Sequence, residues 1–210
     1  MAVIGGGYAG LSAARCLKLA DPALDIAVIE REYIGSGASG RNAGILSPFL
    51  PVSWLIDCTS SSGRLEDIRF AAEYIRGEIQ ALADLVRTEA VNCDFHPQEI
   101  LTTGAGRMRG HLLALLGERI LLAGLPGRPA SPEDFVAAAP PGPARAGYVL
   151  DGWGLQPLAL ARGLALHSQR LGIAIREQTR VTEIRQAADG LDVATASGFK
   201  VRARKVILRK

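Results

Sequence analysis

Gly5, Gly7 and Gly10 stand in the spacing G-x-G-x-x-G, directly after the apolar run Ala2-Val3-Ile4 and directly before a helical pattern. The first run predicts a short buried strand. From Tyr8 onward Leu11, Ala14, Cys16 and Leu17 are expected to share the sheet-facing side of a helix, with Cys16 serving as a small hydrophobe. A second strand, Ile26 to Ile29, ends at Glu30, twenty residues beyond Gly10. Strand, tight turn, helix, strand and acid at this spacing predict a dinucleotide site. Gly5 permits the turn, Gly7 lets a pyrophosphate approach the backbone, and Gly10 lets the helix lie close on the strand. Tyr8 and Ala9 open the helix, whose first N–H groups and partial positive charge face the phosphates. Glu30 is placed to accept hydrogen bonds from a ribose.

Composition narrows the class. Of 210 residues, 48% are hydrophobic and 21% charged, which predicts a folded core rather than a disordered chain. The formal charge of +3 is small. Lys200, Arg202, Arg204 and Lys205 alternate with Val201 and Ala203, so this basic stretch reads as the solvated face of a strand and not as a nucleic-acid surface. No apolar run is long enough to span a bilayer, and the N-terminus lacks the basic region of an export signal. Cys16, Cys58 and Cys93 are an odd number without metal-ligand spacing, which favours a reducing, cytoplasmic setting.

After Glu30 and Arg31 comes the segment Gly35-Ser-Gly-Ala-Ser-Gly-Arg-Asn-Ala-Gly44, with four glycines in ten residues. It leaves the carboxyl end of the second strand, where open α/β sheets bind ligands. Glycine amides with the Ser36 and Ser39 hydroxyls can hold phosphate and ribose oxygens, and Arg41 adds a charge. Residues 64–90 predict a long amphipathic helix on Leu65, Ile68, Ala72, Ile75, Ile79, Leu82 and Val86. A strand over 100–103, a helix over 108–122, a loop punctuated by Pro126, Pro129 and Pro132, a helix capped by Ser131, and a strand over 147–150 follow. Residues 157–171 predict a helix, 173–175 a buried strand, and 181–184, 191–196 and 201–208 three further strands joined by the turns Asp189-Gly190 and Ser197-Gly198. About a hundred residues thus intervene before the sheet resumes. A nicotinamide enzyme would return sooner with a βαβ repeat, so the layout favours FAD over NAD.

The pair VIGGGYAGLSAA and GSGASGRNAG resembles the FAD-dependent amine and amino-acid oxidoreductases of the D-amino-acid oxidase type. That family includes glycine and sarcosine oxidases, D-amino-acid dehydrogenases and gamma-glutamylputrescine oxidoreductase. The wording GASGRN-x-G is nearest the last branch, which carries a second glycine where Ala43 stands. T-R-V-T-E-I at 179–184 extends the likeness, and the resemblance implies that the Val181 backbone seats an adenine. It implies an α/β fold: a Rossmann-like FAD lobe of glutathione-reductase type with a β-meander, at 1–48 and 153–210, interrupted by an incomplete α+β substrate lobe at 49–152. It also implies FAD held along Gly5, Gly7, Tyr8, Ala9, Gly10, Glu30, Arg31, Ser36, Ala38, Ser39, Arg41, Asn42, Ala43, Gly44 and Val181. The implied substrate is an amine or amino acid, with dioxygen or an electron carrier as final acceptor. Relatives continue past this point with more substrate lobe and a last flavin-contacting strand, and Arg209-Lys210 departs from their small-residue turn, so the chain is expected to be a truncated portion.

No catalytic residue is assigned, because the family's helpers fall mostly in the part not covered. His96, His111 and His167 are scattered, and no metal site is expected; His167 reads as a surface or packing residue. Ser39 lacks a G-x-S-x-G context, which speaks against hydrolysis. Trp153 between two glycines reads as a junction filler or a pocket wall. Cys58 has nothing nearby to lower its pKa. Two alternatives stay open: a non-catalytic FAD- or nucleotide-binding module that needs a partner subunit or forms a homo-oligomer, and an NAD-dependent dehydrogenase.

Overall fold

A computed structural model describes residues 1–47, 65–105, 113, 117, 124, 127–138 and 144–208. In chain order the elements are β1 (Ala2–Ile4), α1 (Tyr8–Ala20), β2 (Ala27–Ile29), α2 (Ala38–Arg41), β3 (Ile45–Leu46), α3 (Leu65–Thr88), β4 (His96–Ala105) and β5 (Gly127–Pro129). They continue with α4 (Pro132–Ala138), β6 (Ala144–Gly154), α5 (Pro157–Arg170), β7 (Ala174–Arg176), β8 (Val181–Ala187), β9 (Gly190–Thr195), β10 (Lys200–Ala203) and β11 (Val206–Leu208). The helix expected over 108–122 lies outside the described residues, apart from 113 and 117. Cys58 and His111 also lie outside them.

Two compact units divide the chain: Met1–Gly44, Val86–Asp94 and Gln156–Lys210 form one, Ile45–Leu85 and Phe95–Leu155 the other. The strip Val86–Asp94 therefore groups with the first unit although it falls inside 49–152.

The first unit is an α/β fold built on a parallel sheet in the order β11-β1-β2-β7, with Ala2 opposite Ala27 and Val206. Period-two alternation sends successive residues of β1 to opposite faces. Val3, Val28 and Ile173 pack with Ala14 of α1 on one side. Ala2 and Ile29 pack on the other with Val193 and Ala203 of the antiparallel meander β10-β9-β8. Both faces are covered, as a parallel sheet requires. Cys16 is exposed, contrary to the sequence reading, while Leu11 and Ala14 are buried. At 100° per residue, position 16 turns about 200° away from position 14.

The single strand expected over 201–208 is two strands. β10 pairs antiparallel with β9, whereas β11 pairs parallel with β1, and Ala2 N–H donates to the Lys205 carbonyl (3.0 Å) between them. The alternation that runs from Lys200 to Arg204 stops at the doublet Arg204-Lys205, and Val206-Ile207-Leu208 is a continuous apolar run, the pattern of a strand inside a parallel sheet.

In the second unit β6 pairs antiparallel with β3, β4 and β5. Both β4 and β6 outrun their expected lengths. The proline-punctuated loop contains β5, with Pro129 at its end, where a missing N–H is tolerated. α4 opens on reciprocal capping: Asp134 N–H donates to Ser131 Oγ (3.3 Å) and Ser131 N–H to Asp134 Oδ2 (2.6 Å). A hydrogen bond from the Arg128 guanidinium holds the Asp134 carboxyl well below the usual carboxylate range. Trp153, half-buried in β6, stands opposite Leu46 and Pro97.

Candidate functional site

The carboxyl ends of β1 and β2 open onto a cavity of about 860 Å³. Gly5 takes φ +110°, a left-handed value open to glycine, and its N–H donates to the Ile29 carbonyl (2.9 Å), which fixes the turn. α1 then starts with no side-chain cap on Gly7. Its first turn must find acceptors elsewhere. Leu11 N–H returns to the Gly7 carbonyl (3.0 Å) and Tyr8 N–H donates to Ser39 Oγ (3.0 Å). The amides of Ala9 and Gly10 have no protein acceptor among the described residues. A Cβ on Gly10 would stand 2.0 Å from the Gly5 carbonyl oxygen, and one on Gly7 would stand 2.8 Å from Ser39 Oγ. The helix thus lies against the turn as closely as a backbone permits.

Glu30 is buried and lines the same cavity. Its Oε2 accepts from Gly6 N–H (2.6 Å) and its Oε1 from Glu32 N–H (3.0 Å), with Ser36 Oγ at 3.5 Å. The carboxylate therefore binds the glycine turn to the segment that leaves β2.

That segment is not a plain loop. Residues Ala38–Arg41 form one helical turn, closed by Asn42, whose Nδ2 donates to the Ser39 carbonyl (2.9 Å) while its Oδ1 accepts from Gly44 N–H (2.9 Å). Ile34 N–H donates to Glu177 Oε1 (2.6 Å). Tyr8 Oη donates to the Pro157 carbonyl (2.8 Å), tying α1 to α5, and burial pushes the phenol pKa up. Because Ser39 Oγ is the acceptor of Tyr8 N–H, Ser39→Ala is expected to lower stability by about 1 kcal/mol. Thermal unfolding reads this as a lower midpoint; an unchanged midpoint would show that water replaces the hydroxyl.

The structure brings Gly5, Gly7, Tyr8, Ala9, Gly10, Glu30, Arg31, Ser36, Ala38, Ser39, Asn42 and Val181 to this one cavity. Arg41, Ala43 and Gly44 are not on its lining; Arg41 and Ala43 are exposed and Gly44 is buried. Thr179 and Arg180 line the wall and were missed, although both adjoin Val181 in the sequence. Two backbone bonds hold them there: Gln178 N–H to the Glu32 carbonyl (2.7 Å) and Thr179 N–H to the Glu30 carbonyl (2.8 Å).

Away from the cavity, His167 is buried with Nδ1 2.5 Å from Glu89 Oε2, and Arg15 approaches the other Glu89 oxygen at 3.8 Å. His167 is thus a packing residue beside the Glu89 carboxylate. Among the described residues no group of three or more His, Cys, Asp or Glu could hold a metal, and no helix is long and apolar enough to cross a membrane.

The sequence model of the FAD dependent oxidoreductase family, DAO, matches residues 1–208. The chain belongs to this family. Within it, 95 residues are 35% identical to gamma-glutamylputrescine oxidoreductase of Escherichia coli (strain K12), a match over 45% of this chain and 21% of that protein. The fold is similar to glycine oxidase from Geobacillus kaustophilus, with a TM-score of 0.72 at 21% identity over 98% of this chain and 53% of that one. L-proline dehydrogenase from P. horikoshii gives 0.68 at 19% identity, over 98% and 50%. The chain spans about half the length of these two solved structures.

Proposed function

We propose that this chain holds FAD in the 860 Å³ cavity and forms part of an oxidoreductase acting on the C–N bond of an amine or amino acid. The observation that carries the proposal is the pair of unpartnered amides, Ala9 and Gly10, at the start of a helix pressed onto a glycine turn. A backbone this close leaves space in front of the helix for a pyrophosphate, where N–H groups and the helix dipole favour negative charge.

In this reading Ala9 and Gly10 donate to one phosphate. The Ser39 hydroxyl accepts from Tyr8, which leaves its own proton to donate to a phosphate oxygen. Gly5, Gly7, Ser36 and Ala38 shape the wall. Glu30, already fixed by two amides, presents its remaining lone pairs to the adenosine ribose, Arg31 flanks it, and Val181 seats the adenine. Asn42 carries the site toward the flavin, followed by Arg41, Ala43 and Gly44 as the family resemblance implies. When bound, FAD supplies the two-electron acceptor for a hydride from the carbon beside the substrate nitrogen. Residues 1–48 and 153–210 would form the FAD lobe and 49–152 part of the substrate lobe. Dioxygen or an electron carrier would take the electrons onward. The free thiols Cys16 and Cys93 suit a reducing, cytoplasmic setting.

The purified chain is expected to show the two visible absorption bands of oxidised flavin, as isolated or after incubation with FAD. A colourless protein that FAD leaves unchanged, and whose fluorescence is quenched by NADH instead, would sink the reading.

A further inference from the structure

Arg180 occupies the end of the cavity where the strap 178–181 meets the end of β2. Its backbone is held from two sides. Thr179 N–H bonds the Glu30 carbonyl (2.8 Å), and Ala196 N–H bonds the Arg180 carbonyl (2.8 Å). Gln178 turns the strap with φ +50°, a left-handed value that costs a non-glycine residue energy. Arg180 is nevertheless exposed and is among the residues that line the cavity. A rigid anchor thus carries an arginine at the pocket wall.

The charges around it are already committed. Glu30 is bonded to the Gly6 and Glu32 amides. Arg31 Nε lies 3.5 Å from Glu32 Oε1. Arg180 makes no ion pair among the described residues. The floor beside it is apolar: Ile4 and Val181 pack on the Ala2–Ile29 cluster, and both also line the cavity. The amides suited to phosphate, those of Ala9 and Gly10, belong to the start of α1 instead. An apolar floor with a planar, weakly hydrated cation beside it matches a flat π ring, since guanidinium groups stack on such faces.

We infer that Arg180 is a specificity residue for the adenine ring, its guanidinium covering one face of the base while the Val181 side lies against the other. This rests on the FAD reading of the cavity, but it concerns only the adenosine end of the ligand.

The test uses the full chain, titrated with FAD, ADP and FMN by calorimetry, for wild type, Arg180→Ala and Arg180→Lys. Since the side chain is exposed, the variants should keep the wild-type melting midpoint. Arg180→Ala is expected to weaken FAD and ADP about tenfold, while FMN, which lacks adenine, keeps its wild-type affinity. Arg180→Lys should not restore binding, because an ammonium keeps the charge but loses the plane. Full rescue by lysine, an equal loss for FMN, or unchanged FAD affinity in Arg180→Ala would each overturn the inference. Binding of 2′,5′-ADP much tighter than ADP would do so as well, by assigning Arg180 to a phosphate. If wild type binds ADP through Arg180 but takes up no FAD, the flavin reading fails and this inference stands. Binding of neither removes both.

Discussion

Replacing Gly10 with alanine is expected to abolish FAD retention and to destabilise the protein by about 3 kcal/mol or more, at the upper end of what overpacking costs. The reason is geometric. The added Cβ would sit 2.0 Å from the Gly5 carbonyl oxygen and 3.2 Å from its carbon, and both atoms belong to a backbone fixed by the bond from Gly5 N–H to Ile29. No flexible side chain can move aside, so α1 must retreat from the turn. That retreat carries the Ala9 and Gly10 amides away from the phosphate position. Gly77 supplies the contrast, because a Cβ there meets nothing within 4 Å. Gly77→Ala in the interior of α3 should be neutral or stabilising by up to about 1 kcal/mol, since alanine is the better helix former. Chemical denaturation of both variants decides the matter. A Gly10→Ala protein as stable as wild type would show that the helix shifts at little cost.

The Gly10 contact illustrates which parts of the molecule were legible in its sequence. β1, α1, α3 and α5 were readable because each is local: an apolar run, a repeat at helical spacing, or a proline at the first helical position. The glycine turn was readable because its spacing reflects one backbone approach. Partner changes were not readable. β10 and β11 are interrupted in the sequence only by the doublet Arg204-Lys205, and nothing local says that β10 pairs with β9 while β11 pairs with β1, with Ala2 N–H on the Lys205 carbonyl between them. The short turn α2 was hidden in a glycine-rich segment because its cap comes from the Asn42 side chain folding back on Ser39. Arg180 was hidden for a related reason. Its place at the cavity follows from hydrogen bonds across some 150 residues of sequence, from Thr179 to Glu30 and from Gln178 to Glu32, and no local pattern contains those bonds.

Glu30 shows that a correctly located residue can have a second duty. A fingerprint acid is expected to touch ribose, which predicts that its loss weakens FAD and leaves the FAD-free protein intact. Here both carboxylate oxygens already accept backbone N–H groups, from Gly6 at 2.6 Å and Glu32 at 3.0 Å, and the residue is buried. Glu30→Ala would strand the buried Gly6 donor, and hydrogen bonds to a charged acceptor contribute about 1.5–3 kcal/mol each. The expected result is a loss of about 3 kcal/mol in the FAD-free protein, together with weaker FAD binding. Glu30→Gln separates the two duties. Its amide oxygen can serve one of the two N–H groups, but its NH₂ must then face the other, donor against donor. Stability should therefore recover only in part, while a ribose hydroxyl could still find a partner on the amide. Urea unfolding without FAD reads the first duty and calorimetric FAD titration the second. A Glu30→Ala protein with wild-type stability and weakened FAD affinity would return the residue to the ribose role alone. Parallel losses in both would mean that the acid acts on the cofactor largely by holding Gly6, and with it the start of α1, in place.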